Sequence, residues 1–328
     1  MKNQFLSLIA LAIYSIMASS CETHEFEEPG LLVPLTVDQD PSLSSISVNG
    51  TQLHSETFGD PNNTMVVFLH GGPGADYRNG LNVSQLETEG FYVVFFDQRG
   101  SGLSQRHDRG SYDMDLLLDD LSGVIEYYRT SADQKVFLFG HSWGAILAAG
   151  YINKYPEHID GAIFAEGGGF TSDDLEAYAE SSRRFSLFSE ATNDVLYYDQ
   201  FLTSDKHEVL DYKFILSSPF SYARGNDEGI EGYSPLWRYG AVALYSLADI
   251  AANEGYDFTN NLNQYTTPVL FLYGELNNSY GLDFAKREAA FFPNSEIAEV
   301  AGTGHEMIYF KWNNVEPLVL NYLSKTNQ

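Results

Sequence analysis

Short runs of apolar residues recur along the chain and are more continuous than the alternating pattern of a half-exposed strand. They lie at residues 65–69, 91–96, 135–139, 161–165 and 268–273. Such runs are typical of strands that are buried on both faces, as in parallel sheets covered by helices. They therefore predict the central strands of a large α/β domain.

Other stretches complete this pattern. Residues 44–48 and 51–58 alternate in polarity around Asn49-Gly50, a dipeptide that favours a type I′ turn, so a β-hairpin is expected there. Residues 112–129 carry apolar residues at helical spacing. Strands that alternate with helices predict a mostly parallel sheet with helices on both faces. Towards the end of the chain the pattern predicts a helix at 281–291, a strand at 296–301 and a helix at 309–323.

The alternation of strands and helices stops between residues 167 and 263. This stretch is rich in Tyr, Phe, Ser, Asp and Glu and has no buried-strand run, although it contains helical pieces such as residues 173–188. The pattern predicts an inserted helical cap at 167–263. The predicted core domain then consists of residues 44–166 and 264–328.

The first residues have the features of an export signal. Lys2 supplies a positive charge, residues 5–17 form an apolar run, and small residues precede Cys21, the single cysteine of the chain. We expect a signal peptide at residues 1–20, a lipid anchor on Cys21 and an acidic tether up to residue 43. An ordinary cleaved signal is the alternative. In both cases the mature protein is exported, and we expect it to contact a membrane only through the anchor.

The chain is strongly acidic, and this excludes some partners. Its 328 residues include 45 Asp and Glu against 18 Lys and Arg, which gives a formal charge of −27. Nucleic acid and anionic membrane surfaces would be repelled. A small molecule or a short peptide is the expected substrate.

The clearest chemical motif follows the apolar run at 135–139. Residues 137–144 read F-L-F-G-H-S-W-G, so a buried strand runs directly into G-x-S-x-G, and a helix-compatible stretch follows. This context is typical of a nucleophile elbow, in which the serine stands on a sharp, strained turn at a helix N-terminus. Ser142 is therefore the predicted nucleophile.

A glycine-rich loop and a late histidine complete the predicted chemistry. H-G-G-P-G at residues 70–74 follows a strand, and the N–H groups of Gly72 and Trp143 are the predicted oxyanion donors, with His70 bracing the loop. Among the eight histidines, only His305 follows the last predicted strand, so it is the predicted base. No set of histidines and carboxylates has metal-ligand spacing, so neither a metal nor a cofactor is expected.

Four motifs occur in order: H-G-G-P-G at 70–74, D-Q-R-G-S-G at 97–102, G-H-S-W-G at 140–144 and G-H-E at 304–306. Together they resemble those of proline iminopeptidases and related serine peptidases of the α/β-hydrolase fold. The resemblance covers roughly residues 44–166 and 264–325. It implies an α/β-hydrolase core and the removal of N-terminal residues, often proline, from short peptides.

The chain departs from this family at the catalytic acid. The resemblance places the acid in a G-x-x-D segment after the cap, but this segment reads G-E-L-N and puts Asn277 where the aspartate is expected. An amide can orient His305 but cannot stabilise its imidazolium form. Glu166, at the end of the strand 161–165, is our preferred acid, because some α/β-hydrolases carry the acid on this strand. Glu275, Asn277 or a carboxylate of the cap remain alternatives.

The second departure concerns the substrate. In iminopeptidases, cap glutamates bind the free amine, and one often follows a tryptophan, whereas Arg238 follows Trp237 here. We expect a serine hydrolase of short peptides or amides that works through an acyl-enzyme. A carboxylesterase or lactonase is one alternative, and an inactive hydrolase scaffold that serves as a surface binding module is another. Possible substitutes for the amine-binding glutamates are Glu176, Glu180, Glu228 and Glu231, and cap aromatics that could line an apolar pocket include Phe185, Phe188, Tyr197, Tyr198 and Trp237.

Overall fold

A twisted sheet of eight strands passes through the part of the chain that is described, residues 31–182, 204–217 and 227–327 of a computed structural model. From Val33 onward these residues form one compact unit. The strands are β1 (Ser45–Val48), β2 (Thr51–Phe58), β3 (Met65–Leu69), β4 (Tyr92–Phe96), β5 (Val136–His141), β6 (Gly161–Ala165), β7 (Val269–Gly274) and β8 (Ser295–Val300).

The strand order is β1-β2-β4-β3-β5-β6-β7-β8. The predicted β-hairpin is confirmed: β1 and β2 pair antiparallel, and Asn49 and Gly50 have φ angles of 43° and 75°, as a type I′ turn requires. β2 also pairs antiparallel with β4, whereas all pairs from β4 to β8 are parallel. The nucleophile strand β5 therefore lies in the middle of a mostly parallel sheet.

The central strands are buried on both faces, as their continuous apolar sequences predict. Every residue of β3 is fully buried, and β5 and β6 are buried throughout. Alternate side chains enter two hydrophobic cores, one on each side of the sheet. Burial of each such Val, Leu or Phe side chain contributes roughly 1.5–3 kcal/mol, so the strand ends are held by a rigid scaffold.

Helices cover both faces of the sheet. The α-helices of the described residues, including those of the predicted cap region, are α1 (Met114–Tyr128), α2 (Trp143–Lys154), α3 (Ser172–Ser182), α4 (His207–Ser217), α5 (Ala241–Asn253), α6 (Gly281–Ala289), α7 (Met307–Phe310) and α8 (Trp312–Thr326), and a 3₁₀-helical segment spans Tyr77–Glu89. α1 begins after Asp113, whose side chain accepts hydrogen bonds from the N–H groups of Asp115 and Leu116, so it is capped as an amphipathic helix should be.

The final helix predicted at about 309–323 is present as α8 (Trp312–Thr326), but a separate short helix, α7 (Met307–Phe310), precedes it. Two helices, α7 and α8, are separated by Lys311, which has non-helical backbone angles. Met307 and Trp312 both enter the same core. Residues five apart point about 140° away from each other on a straight helix, so the break is what allows both side chains to be buried.

The described parts of 167–263 contain the helices α3, α4 and α5 and, apart from an isolated bridge between Thr171 and Asp257, no strand. A buried ion cluster joins this cap to the core: Asp211 of α4 accepts hydrogen bonds from Arg106 Nε at 3.0 Å and Arg238 Nε at 2.7 Å. Arg238 is 1% exposed. The arginine after Trp237 is therefore part of the framework of the cap.

Some predicted features lie outside the described residues: the signal peptide at 1–20, the tether before residue 31 with Cys21, and Phe185, Phe188, Tyr197 and Tyr198 of the cap. Within the described residues, no helix is long and apolar enough to cross a membrane.

Candidate active site

Ser142 stands on the turn between β5 and α2, and its φ of 53° lies in a region that is unfavourable for serine. Such a backbone conformation costs about 1–3 kcal/mol and persists where the surrounding structure enforces it. Close packing enforces it here, since a Cβ on Gly144 would lie 1.9 Å from the Leu69 oxygen and one on Gly140 would lie 2.4 Å from the Gly144 oxygen. The strand-to-helix turn predicted from G-x-S-x-G is therefore present.

His305 lies on the loop between β8 and α7 and lines the same cavity as Ser142. Its Nδ1 is 3.0 Å from Glu166 Oε2. Burial lowers the pKa of His305, but the hydrogen bond to Glu166 and the charges of Glu228, Glu166 and Glu306 outweigh it and raise the pKa to about 9. Ser142 and His305 thus line one cavity, and Glu166 lies within hydrogen-bond distance of His305.

Glu166 follows β6 directly and is fully buried. Its φ is 48°, a second strained backbone at this site. Oε1 accepts a hydrogen bond from the Gly274 N–H at 2.6 Å, and Oε2 accepts one from Asn277 Nδ2 at 2.9 Å. A buried carboxylate needs such donors, and here they hold Oε2 toward His305.

The two alternative acids, Asn277 and Glu275, have hydrogen-bond partners other than His305. Asn277 Oδ1 accepts hydrogen bonds from the N–H groups of Ser279 and Tyr280, so its NH₂ group is the one that faces Glu166. Glu275 is exposed, and its Oε2 accepts a hydrogen bond from the Gly302 N–H. Asn277 therefore supports the carboxylate of Glu166, and Glu275 braces the loop that carries His305.

The predicted oxyanion loop, residues 70–74, packs against the nucleophile Ser142. A Cβ on Gly71 would lie 3.0 Å from Ser142 Cβ, so the loop packs tightly against the nucleophile, and Gly72 is exposed to the cavity. Trp143 is the first residue of α2, and the first N–H groups of a helix have no partner within it. Of the two predicted donors, Gly72 therefore lines the cavity that contains Ser142, and Trp143 follows Ser142 at the start of α2.

His70 holds this loop in place. Its Nε2 accepts a hydrogen bond from the Gln98 N–H at 2.9 Å, so the ring proton is on Nδ1, which donates to the Gly71 oxygen at 2.8 Å. Burial lowers the pKa of His70, which favours this neutral form. The ring thus connects the H-G-G-P-G loop to the D-Q-R-G-S-G loop.

The cavity has a volume of about 350 Å³ and lies between the core and the cap. Glu228 and Glu306 are the acidic residues that line it, and Phe214 and Tyr239 of the cap supply aromatic surface. Of the other cap glutamates, Glu176 is exposed and lies elsewhere, Glu231 accepts a hydrogen bond from Thr303 Oγ1, and the side chain of Glu180 is outside the described set. Trp237 packs edge-to-face against Tyr77 and His54 and does not line this cavity.

Two residues at the site were not assigned a role from the sequence. Tyr178 of α3 donates a hydrogen bond to Glu228 Oε1 at 2.5 Å and also lies 3.5 Å from His305 Nδ1. His141 is buried, and its Nε2 donates to the His305 carbonyl oxygen at 2.7 Å. The position of His141 beside Ser142 was a usable signal, whereas nothing in the sequence relates Tyr178 to a loop 127 residues away.

Among the described residues, no group of three or more His, Cys, Asp or Glu side chains is arranged to hold a metal ion.

Solved structures with the same architecture identify the fold. Proline iminopeptidase of Mycobacterium smegmatis superposes with a TM-score of 0.61 at 16% identity, over 87% of this chain and 98% of that one. The enol-lactonase of Burkholderia xenovorans superposes with a TM-score of 0.58 at 15% identity, over 86% and 100% of the two chains. The chain has the α/β-hydrolase fold. The fold predicted from the sequence is thereby confirmed.

Sequence comparisons relate this α/β-hydrolase to peptidases over part of its length. A family model described as serine aminopeptidase, S33, matches residues 60–187. Proline iminopeptidase of Thermoplasma volcanium is 35% identical over 102 residues, and that of Saccharolobus solfataricus is 34% identical over 106. These matches span 31% and 32% of this chain and 34% of each relative. The similarity thus covers about a third of the length of each of these relatives.

Proposed function

We propose that this α/β-hydrolase is a serine hydrolase that works through an acyl-enzyme, with Ser142 as nucleophile, His305 as base and Glu166 as acid. The observation that carries the proposal is the arrangement of these residues: Ser142 on a strained elbow shares a cavity with His305, and His305 Nδ1 is 3.0 Å from the buried Glu166. Nucleophile, base and orienting acid are the three parts that acyl transfer requires.

In the proposed reaction, Ser142 Oγ attacks the substrate carbonyl carbon while His305 Nε2 takes the hydroxyl proton. Glu166 accepts the Nδ1 proton in a hydrogen bond and stabilises the imidazolium that forms. The N–H groups of Gly72 and Trp143 donate to the oxyanion. His305 then protonates the leaving amine or alcohol, and water, activated in the same way, hydrolyses the acyl-serine ester.

A short peptide or amide with a free N-terminus is the proposed substrate. A cavity of about 350 Å³ is at the lower end of the range for small ligands, and Glu228 and Glu306 supply negative charge in it. Arg238 stands where a family glutamate is expected, but it is buried against Asp211 and does not line the cavity. Glu228 is therefore the proposed partner of the substrate ammonium group.

Turnover of proline p-nitroanilide by the soluble form from Glu22 onward tests this proposal. We expect cleavage, and N-acetylproline p-nitroanilide should be cleaved at least about 100-fold less efficiently in kcat/KM, because it has no cation to pair with the half-buried Glu228. The acetylated compound is the matched control, since it differs only in its amine. Equal turnover of the two compounds would contradict a role for the free N-terminus.

A carboxylesterase or lactonase is the second candidate. Solved structures with this fold include one described as an N-acyl homoserine lactone degrading enzyme, at a TM-score of 0.59, and the enol-lactonase. The same triad and oxyanion donors would serve an ester. Hydrolysis of p-nitrophenyl acetate without any cleavage of proline p-nitroanilide would favour this candidate.

We further propose that the protein is exported and carried on a lipid anchor at Cys21. Lys2, the apolar run at 5–17 and the small residues before Cys21 support this. In cells that process lipoprotein signals, the wild type should partition into a detergent phase and Cys21→Ser should not, as measured by immunoblotting of the two phases. Equal partitioning of both proteins would contradict the anchor.

A further inference from the structure

Tyr178 lies between the acidic cap residue and the base. Its hydroxyl is 2.5 Å from Glu228 Oε1 and 3.5 Å from His305 Nδ1, and the residue is 9% exposed. Burial and the charges of Glu228 and Glu166 raise the pKa of Tyr178 well above its usual value, so the hydroxyl keeps its proton. The hydroxyl therefore donates to Glu228, and its oxygen lone pairs remain available to the Nδ1 proton of His305.

The main chain joins the same two segments. The His305 N–H donates to the Glu228 carbonyl oxygen at 2.8 Å. Gly304 packs so closely that a Cβ there would lie 2.1 Å from the same oxygen. Asp227, next to Glu228, accepts a hydrogen bond from the Asn278 N–H at 2.6 Å, in the loop after β7. The Glu228 segment of the cap is thus fixed to the loop that carries His305 and to the loop that carries Asn277.

We propose that Glu228, acting through the Tyr178 hydroxyl, is a second carboxylate that stabilises the protonated form of His305, in parallel with Glu166. Tyr178 is then a positioning residue, because it touches His305 and Glu228. This inference rests on the proposed function, in which His305 is the base. It differs from amine binding by Glu228, since it requires no charge on the substrate.

The sign of the expected pH effect follows from the charges around His305. Negative charge stabilises the imidazolium and raises the pKa of His305. The acidic limb of the pH dependence of kcat/KM reports the loss of this proton in the free enzyme. Removal of one supporting carboxylate should therefore move the acidic limb to lower pH. The titratable groups that face His305 are Glu166 at the end of β6, Tyr178 of α3, Glu228 of the cap, Glu306 of the same loop and His141 at the end of β5.

The test is the pH dependence of p-nitrophenyl acetate hydrolysis by the wild type, Tyr178→Phe, Glu228→Gln and the double variant. This ester is neutral, so lost amine binding cannot contribute. We expect both single variants to shift the acidic limb down by about one pH unit and to lower the kcat at the plateau about 10-fold. Because the two residues act as one unit, the double variant should show no larger loss of kcat and no larger shift of the acidic limb than the more affected single variant.

Tyr280→Phe is the matched control. Tyr280 is a buried tyrosine that also donates its hydroxyl hydrogen bond to a buried carboxylate, Glu288. Tyr280→Phe should leave the acidic limb in place, because neither residue of this pair contacts His305. Glu228→Gln keeps an acceptor for the Tyr178 hydroxyl, so it tests the charge even if Tyr178→Phe fails to fold.

An acidic limb that stays at the wild-type pH in Glu228→Gln would overturn the inference. If that variant lost only its activity on proline p-nitroanilide, Glu228 would bind the amine and the proposed function would stand. Ester hydrolysis that is as fast in Ser142→Ala as in the wild type would overturn both this inference and the proposed function.

Discussion

Replacement of Ser142 by alanine is expected to lower kcat by about 10⁶-fold with little change in KM, because the variant keeps the cavity but has no nucleophile. The strained elbow is built by glycine packing and by the Ser142 N–H, which donates to the Ala165 oxygen at 2.9 Å. None of these contacts uses the serine hydroxyl. The fold of the variant should therefore be unchanged.

Steady-state kinetics of Ser142→Ala on proline p-nitroanilide and p-nitrophenyl acetate measure this effect. Ser234→Ala is the matched control, since Ser234 also lines the cavity and its loss should change kcat less than about 10-fold. A fluorophosphonate probe should label the wild type and Ser234→Ala but not Ser142→Ala. Failure to label the wild type would favour an inactive scaffold that serves as a binding module.

Glu166→Gln is expected to lower kcat by about 10⁴-fold, the second largest effect. Glu166 Oε2 accepts hydrogen bonds from both His305 and Asn277. A glutamine side chain has no charge for the imidazolium, and its NH₂ group favours the wrong tautomer of His305. The measurement is kcat on both substrates near the alkaline plateau, where His305 is neutral.

Glu275→Gln is the control for this change. It removes a carboxylate at the end of the neighbouring strand β7, but Glu275 is exposed and bonds to the Gly302 N–H, so kcat should stay within about 10-fold of the wild type. Asn277→Asp in the Glu166→Gln background should restore part of the lost rate, because it returns a carboxylate 2.9 Å from the position of Glu166 Oε2. A Glu166→Gln variant as active as the wild type would exclude Glu166 as the acid.

Strand positions were predictable because a buried parallel strand requires a continuous apolar sequence. β2, β3 and β6 have the predicted bounds, and the other strands differ from them by only one or two residues. The C-terminal helix α8 begins at Trp312 rather than near residue 309, because the break at Lys311 lets Met307 and Trp312 enter the same core, and local periodicity does not show this contact.

The elbow around Ser142 and the loop glycines were encoded locally, because a sharp strand-to-helix turn needs glycine at set positions within five residues. The sequence by itself thus determined the fold class, Ser142 and His305 as candidates, and the departure at Asn277 from the family pattern. It left Glu166, Glu275, Asn277 and a carboxylate of the cap open for the acid. The tertiary structure decided which carboxylate lies beside His305, because strand order brings the ends of β6 and β7 together across more than 100 residues of chain. It also decided that Arg238 faces Asp211 and that Tyr178 joins Glu228 to His305, since such contacts depend on how the cap packs on the core.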